Sequence, residues 1–164
     1  MSKFKYILNN IMTPLIITLC FLGIIYAFGT RVVIVDGNSM EPTYKNGSIA
    51  LSTVAKINEI ERCDVIIINS SKYNDTLIKR VIGLPNETLS YQSGKLYINN
   101  NLVDDTYAFG YTGDFYVELK DNEYWCLGDN REHSTDSRAL GAFKQDEIVS
   151  VIFSLNAKRL WPGE

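Results

Sequence analysis

The sequence predicts a mainly β domain of antiparallel sheet standing behind a single N-terminal transmembrane helix. Three observations carry that expectation. An uncharged run, IMTPLIITLCFLGIIYAF, fills positions 11 to 28. Beyond it, the pattern changes to short segments rich in Val, Ile, Tyr and Thr, parted by Gly, Asn, Asp or Ser. A length of 164 residues, with 46% hydrophobic content and four prolines, suits one folded unit plus an appendage.

The apolar run comes first. It approaches the ~20 residues that a helix needs to cross a bilayer at 1.5 Å per residue. A cleaved leader has a shorter apolar region, of ~7 to 15 residues, and ends at small residues; Tyr26, Phe28 and Arg31 fit such an end poorly. The expectation is therefore a short tail at 1–10, an anchor at 11–29 and a folded domain at 30–164. Lys3 and Lys5 precede the run and Arg31 follows it, which predicts a cytoplasmic N-terminus and an exported domain. Pro14 is tolerable because the first helical turn lacks intrahelical partners for its N–H groups.

The strands follow in order: RVVIVDG, SIALSTV, DVIIIN, TLIKRVIGL, TLSYQ, KLYIN, FYVELK, EYWCLGD and IVSVIFSL. Gly94 in QSGK and Asn99 to Asn101 in NNNL mark tight hairpin turns, since Gly and Asn accept positive φ. After Gly29 only KQDEI, Lys144 to Ile148, hints at a helical turn. The net charge of −3 gives no electrostatic footprint for nucleic acid. Of three cysteines, Cys20 lies in the apolar run; Cys63 and Cys126 are the only pair able to bridge outside it, and both are read as free or structural thiols. No spacing suggests a metal site.

Ser39, in VDGNSMEPTY, raises the question of chemistry, because a serine hydroxyl attacks only when a base takes its proton. His133 is the chain's one histidine, and Asp129 or Asp136 could complete a triad with it. The G-x-S-x-G elbow is absent, however, and His133 among Arg131, Glu132, Ser134 and Asp136 reads as a hydrated loop residue. Lys79 is the other candidate. A lone strand lysine reads as solvent-facing, but one drawn among Leu77, Ile78, Val81 and Ile82 would have its ammonium form disfavoured.

Four stretches settle the choice through resemblance. GNSMEPT (37–43), RCDVI (62–66), KRVIGLPNE (79–87) and GDNREHSTDSRALG (128–141) resemble, in order, the sequence boxes of bacterial type I signal peptidases, and LYINNNLV (96–103) resembles a strand-turn-strand segment of that family. The resemblance covers nearly the whole chain. It implies a signal-peptidase-like β fold and a membrane-anchored serine endopeptidase that removes signal peptides from exported preproteins after Ala-x-Ala sites. Ser39 would be the acyl-forming nucleophile, Lys79 the neutral base and Ser134 the hydroxyl that hydrogen-bonds the lysine amine. Asp129, Asn130, Arg131, Asp136 and Arg138 would brace the loop presenting Ser134. Gly37, Asn38 and Met40 would border the oxyanion site and cleft, with Gly37 in place of a hydroxyl donor as in Gram-positive members. The substrate strand would lie between Ile34, Val35 and Asp36 on one side and Asp75, Thr76, Leu77 and Ile78 on the other. No cofactor or metal is implied. The partners would be preproteins and membrane lipid, near the export machinery, at the bacterial cell membrane. Two departures stand out, Cys63 and Asn86 at places where the family has glycine; ordinary strand geometry is expected at Cys63 and a positive φ is tolerable at Asn86.

A self-cleaving repressor of related fold would carry a DNA-binding domain where this chain has its apolar run. A β module that binds peptides without cutting them would be expected to lack Ser39 or Lys79. The GDNREHSTDSR loop lacks the ligand spacing and glycine of an EF-hand.

Overall fold

The computed structural model describes residues 6–27, 29–54 and 60–153. The chain divides into two compact units, Met1–Arg31 and Val32–Glu164. In the first, a π-helical segment, Leu8–Met12, runs into helix α1, Thr13–Ala27. Among the described residues no helix is long and apolar enough to cross a membrane, because the apolar run is divided between these two segments. Pro14 supplies the reason. It has no N–H to return to the carbonyl four residues earlier, and its ring crowds that carbonyl, so the helix widens there. Lys3, Lys5 and Phe28 lie outside the described residues, as do parts of the expected tail and domain.

The second unit is the expected antiparallel β fold. Its strands are β1 (Arg31–Ile34), β2 (Ile49–Val54), β3 (Val65–Ser70), β4 (Asp75–Gly83), β5 (Thr88–Gln92), β6 (Lys95–Ile98), β7 (Asn101–Val103), β8 (Phe115–Glu118), β9 (Glu123–Leu127), β10 (Phe143–Lys144) and β11 (Ile148–Phe153). One sheet has the order β1-β2-β11-β3-β4-β9-β10, the other β7-β6-β5-β8. The hairpins turn where the sequence marks them. Ser93 and Gly94 have φ of 50° and 78°, Asn99 and Asn100 of 49° and 66°, so both two-residue turns use the left-handed region that matches strand twist. A 3-10 turn at Gln145–Glu147 fills the KQDEI stretch. Helix α2, Ser137–Leu140, carries no helical periodicity because it is a single turn, capped by the Asp136 side chain on the Arg138 N–H.

Burial follows the strand alternation. Ile66, Ile68, Leu77, Val81, Cys126 and Phe143 belong to one core cluster; Ile82, Leu89, Leu96, Trp125 and Leu127 to a second; Met40, Val65, Ile67 and Ile152 to a third. Phe115 joins the second, with ring centroids 5.8 Å from Tyr91 and 5.3 Å from Trp125, whereas Phe109, Tyr111 and Tyr116 are exposed. Cys63 and Cys126 are buried free thiols. Burial raises both above the ordinary thiol range, Cys63 to about 11.

Cys63 corrects the expectation of strand geometry, having φ of 70°. Its left-handed turn sends its N–H to the Val81 carbonyl at 2.8 Å and its carbonyl to Arg80 Nη1 at 2.8 Å, and these bonds hold a conformation that a side chain disfavours. Asn86, with φ of 65°, takes the positive angle its side chain tolerates. Nearby, Arg62 donates to Glu87 and to the Ile82 carbonyl, tying that loop to the end of β4.

β4 is the long central strand, and Gly83 at its end lies where the ladder to β9 shifts register. A Cβ there would stand 2.6 Å from Leu89 Cδ1 and 2.8 Å from Leu119 Cδ1, both in the buried second cluster. We expect Gly83→Ala to lower unfolding free energy by about 1–3 kcal/mol through overpacking, measured by urea unfolding; an unchanged midpoint would show that the leucines yield freely.

Candidate active site

Lys79 sits in the middle of β4, where the pleat puts it on one face with Leu77 and Val81 and puts Arg80 on the other. It is 3% exposed. Its Nζ lies 2.9 Å from Ser39 Oγ and 2.8 Å from the Ile78 carbonyl oxygen. The two residues that the sequence singles out are thus brought together across forty positions of chain. Burial lowers the Lys79 pKa to about 8, against the opposing pull of Asp136, Cys126 and Asp129. At pH 7 about a tenth of such amines is neutral, some 300-fold more than for an ordinary lysine.

Ser39 is held on a tight loop, half-buried, directly before Met40, which is fully buried in the third core cluster rather than beside the cleft. Gly37, at φ of 91°, gives its N–H to Asn46 Oδ1 at 3.0 Å, and a side chain added there would meet open space. Tyr44 N–H bonds the Met40 carbonyl at 2.9 Å. The Ser39 loop therefore has a buried methionine as its plug and a glycine as its bend.

The last box surrounds this loop. Asp129 is fully buried and takes Arg80 Nε at 2.8 Å, Arg80 Nη2 at 2.7 Å and the Thr43 hydroxyl at 2.5 Å. Tyr107 stacks on the same guanidinium, 3.7 Å from ring centroid to Cζ. Asp136, equally buried, takes the Gly128 N–H at 3.0 Å and Arg138 Nε at 2.9 Å. Burial alone would raise its pKa, but the Arg138 and Gly128 hydrogen bonds hold it below the usual carboxylate value. Arg131 pairs with Asp105 and gives Nε to the Gly128 carbonyl at 3.0 Å. Asn130 reaches the Ser39 loop itself, its N–H donating to the Ser39 carbonyl at 3.0 Å and its Nδ2 to the Asn38 carbonyl at 3.2 Å. Sequence reasoning placed these residues around Ser134; the structure places two of them, Asn130 and Asp129, against the Ser39 loop as well.

Ser134 differs from expectation. The hydrogen bond expected between its hydroxyl and the Lys79 amine is not formed: Nζ meets Ser39 and the Ile78 carbonyl, and the buried Ser134 Oγ has no partner at hydrogen-bonding geometry. Gly128 separates Ser134 from the Ser39 loop, and a Cβ on it would fall 2.2 Å from Ser134 Oγ and 2.5 Å from the Ser39 carbonyl oxygen. Sequence reasoning missed this glycine, although its place beside Asp129 was visible; only the close backbone approach reveals its use.

Ser39 and Lys79 open into a groove of about 490 Å³. Ile34, Val35, Asp36, Gly37 and Asn38 line one wall; Asp75, Thr76, Leu77 and Ile78 line the other, so every residue named for the cleft strands is on it. His133 and Tyr73 also border the groove, and His133 is exposed. β9 covers only Arg80 to Gly83 of β4, leaving Asp75 to Lys79 paired with β3 alone. Val81 directs both its backbone groups toward the β3 side, so the alternation turns those of Thr76 and Ile78 toward the groove. Among the described residues no group of three or more metal-ligating side chains occurs.

Comparison with known proteins finds relatives across most of the chain. The family model described as signal peptidase, peptidase S26, matches residues 8–155. Signal peptidase I U of Bacillus subtilis is 34% identical over 130 residues, covering 71% of this chain and 70% of its own. Signal peptidase I of Bacillus licheniformis is 36% identical over 164 residues, covering 88% of both. The crystal structure of a signal peptidase I from Enterococcus faecalis superposes with a TM-score of 0.54 at 31% identity, over 62% of this chain and 100% of that one.

Burial of the Lys79 amine makes stability depend on pH. With a folded pKa of about 8 against 10.5 unfolded, the unfolded chain binds more protons between those values, so stability rises with pH across that window. Below it, the buried ammonium costs about 3 kcal/mol. Wild type should gain that amount over Lys79→Met between pH 7 and 10.5 in chemical unfolding; parallel curves would show that the amine is not a buried base.

Proposed function

The chain belongs to the signal peptidase family, peptidase S26, and is a type I signal peptidase, a serine protease; from that premise we propose that it cuts exported preproteins after Ala-x-Ala sites by a Ser39/Lys79 dyad. The observation that carries the reading is the 2.9 Å approach of a buried lysine amine to the serine hydroxyl. In the neutral amine the lone pair faces the Ser39 hydroxyl while an N–H remains on the Ile78 carbonyl. Lys79 takes the hydroxyl proton as Ser39 Oγ attacks the scissile carbonyl, and the Ser39 N–H receives the oxyanion. The ammonium then gives its proton to the leaving amine, the C–N bond breaks, and an ester joins the substrate's acyl group to Ser39. Neutral again, Lys79 takes a proton from water, whose oxygen attacks the ester; collapse returns the proton to Ser39 and releases the new C-terminus.

The groove supports an extended substrate. The Thr76 and Ile78 edge of β4 offers main-chain groups to a strand lying against it, and alternate substrate side chains then enter between Val33, Val35 and Leu77. Small apolar residues at the first and third positions before the cut would suit these aliphatic side chains. Asp136, by accepting the Gly128 N–H, holds the Gly128 turn beside the dyad.

We also assign residues 11–29 as a membrane anchor, with 1–10 cytoplasmic and 30–164 outside. Support comes from α1, whose Leu15, Ile16, Ile17, Leu19, Phe21 and Leu22 are all exposed; a helix apolar on every side needs lipid or protein around it. Confinement to the membrane that holds the preprotein raises encounter and places the enzyme near the export machinery.

The test is cleavage of a detergent-solubilised preprotein bearing an Ala-x-Ala site, with product termini read by mass spectrometry. Wild type should cut after the second alanine, and Ser39→Ala and Lys79→Ala should each lose on the order of a thousandfold or more. Cleavage retained by either variant would break the dyad assignment.

A further inference from the structure

We propose that Asn130 is a positioning residue for oxyanion binding, aligning the Ser39 N–H by holding the carbonyl at the other end of the same peptide unit. The inference rests on the reading of Ser39 as nucleophile and extends it. The Asn38 carbonyl and the Ser39 N–H belong to one peptide plane, and that bond is trans, the cis bond of the described chain being Glu41–Pro42. In a trans unit the two groups point in opposite directions, so fixing the carbonyl fixes the N–H. Two donors fix this one from behind: Asn130 Nδ2 at 3.2 Å and the Glu41 N–H at 3.1 Å. Among the described residues nothing accepts a hydrogen bond from the Ser39 N–H, which is left free for substrate.

Asn130 is well placed for the task. It is 5% exposed. Its N–H holds the Ser39 carbonyl at 3.0 Å, its carbonyl accepts the His133 N–H at 3.2 Å, and its neighbours Asp129 and Arg131 are paired through their backbones with Phe109. A donor on the Asn38 carbonyl also polarises the peptide, strengthening the N–H at its far end. This matters more here than where a side-chain hydroxyl shares the load, because position 37 is glycine and has none. The residue type follows: an amide offers the carbonyl a donor, whereas the carboxylate of aspartate, alike in shape, offers only oxygen.

The experiment uses the full chain in detergent with a fluorogenic Ala-x-Ala peptide, and compares wild type, Asn130→Ala and Asn130→Asp. Two matched ligands accompany it: a peptide aldehyde, whose adduct with Ser39 places an oxyanion in the site, and a reduced-amide peptide, which has no carbonyl at the cut. Removing an oxyanion donor outright costs ~100- to 1000-fold in kcat, so loss of its alignment in Asn130→Ala should cost about 10- to 100-fold, with KM within about twofold. Aldehyde affinity should fall alongside kcat, reduced-amide affinity and the pH midpoint of Lys79 should hold, and Asn130→Asp should lose at least as much when read above that midpoint. A purely packing role predicts the reverse order, with aspartate better than alanine, or equal losses for the two ligands; either overturns the assignment, as does unchanged kcat. An inactive wild type would overturn the Ser39 reading itself, whereas an active wild type matched by Asn130→Ala overturns this inference alone.

Discussion

A lysine amine kept out of water against a serine hydroxyl is the constraint to which the rest of this domain answers. Desolvation opposes the ammonium form, and two buried carboxylates, Asp129 and Asp136, oppose that effect. Either one, left unpaired beside the amine, would draw a proton onto it. Each is instead engaged by an arginine, Asp129 by Arg80 and Asp136 by Arg138. The arginine pairs therefore do two things: they make burial of the acids tolerable, and they leave desolvation as the dominant influence on Lys79.

The same pairs bring the sequence boxes together. Arg80 follows Lys79 on β4 and reaches across to Asp129, which holds Thr43 beyond the nucleophile loop. Asn130, the next residue, donates to the carbonyls of Asn38 and Ser39, on either side of the Ser39 Cα. Gly128, the residue before, lies so close to the Ser39 carbonyl that any side chain would displace it. Three consecutive residues thus touch the Ser39 loop, Asp129 by accepting the Thr43 hydroxyl, Asn130 by a hydrogen-bonded clamp and Gly128 by bare contact. Binding geometry held this way rests on strands and buried polar bonds, where displacements are small.

Much of this was legible in the sequence. Alternating Val and Ile segments located nine strands, and Gly94 and the Asn99–Asn101 run located two turns, because strand burial and positive φ leave strong local marks. Ser39 and Lys79 came from resemblance; periodicity alone made Lys79 a surface residue, since one strand does not reveal what covers it. Besides Gly128 and the Ser134 hydroxyl, three features escaped. Cys63 adopts a left-handed angle that its residue type disfavours, because Arg80 and Val81 bind its backbone. Met40 is core plug rather than cleft wall. The division of the N-terminal helix at Pro14 depends on where a single missing N–H falls. Each is a consequence of a long-range contact or of one backbone atom, and neither leaves a pattern in composition.

The most direct measurement is titration of the Lys79 amine itself, by nitrogen NMR of protein labelled at lysine side chains, with Lys79→Arg identifying the resonance. The account requires the resonance lost in Lys79→Arg to titrate near pH 8, more than two pH units below the ordinary lysine value of ~10.4. If every lysine titrates together above pH 10, Lys79 is a solvated ammonium and the dyad has no base.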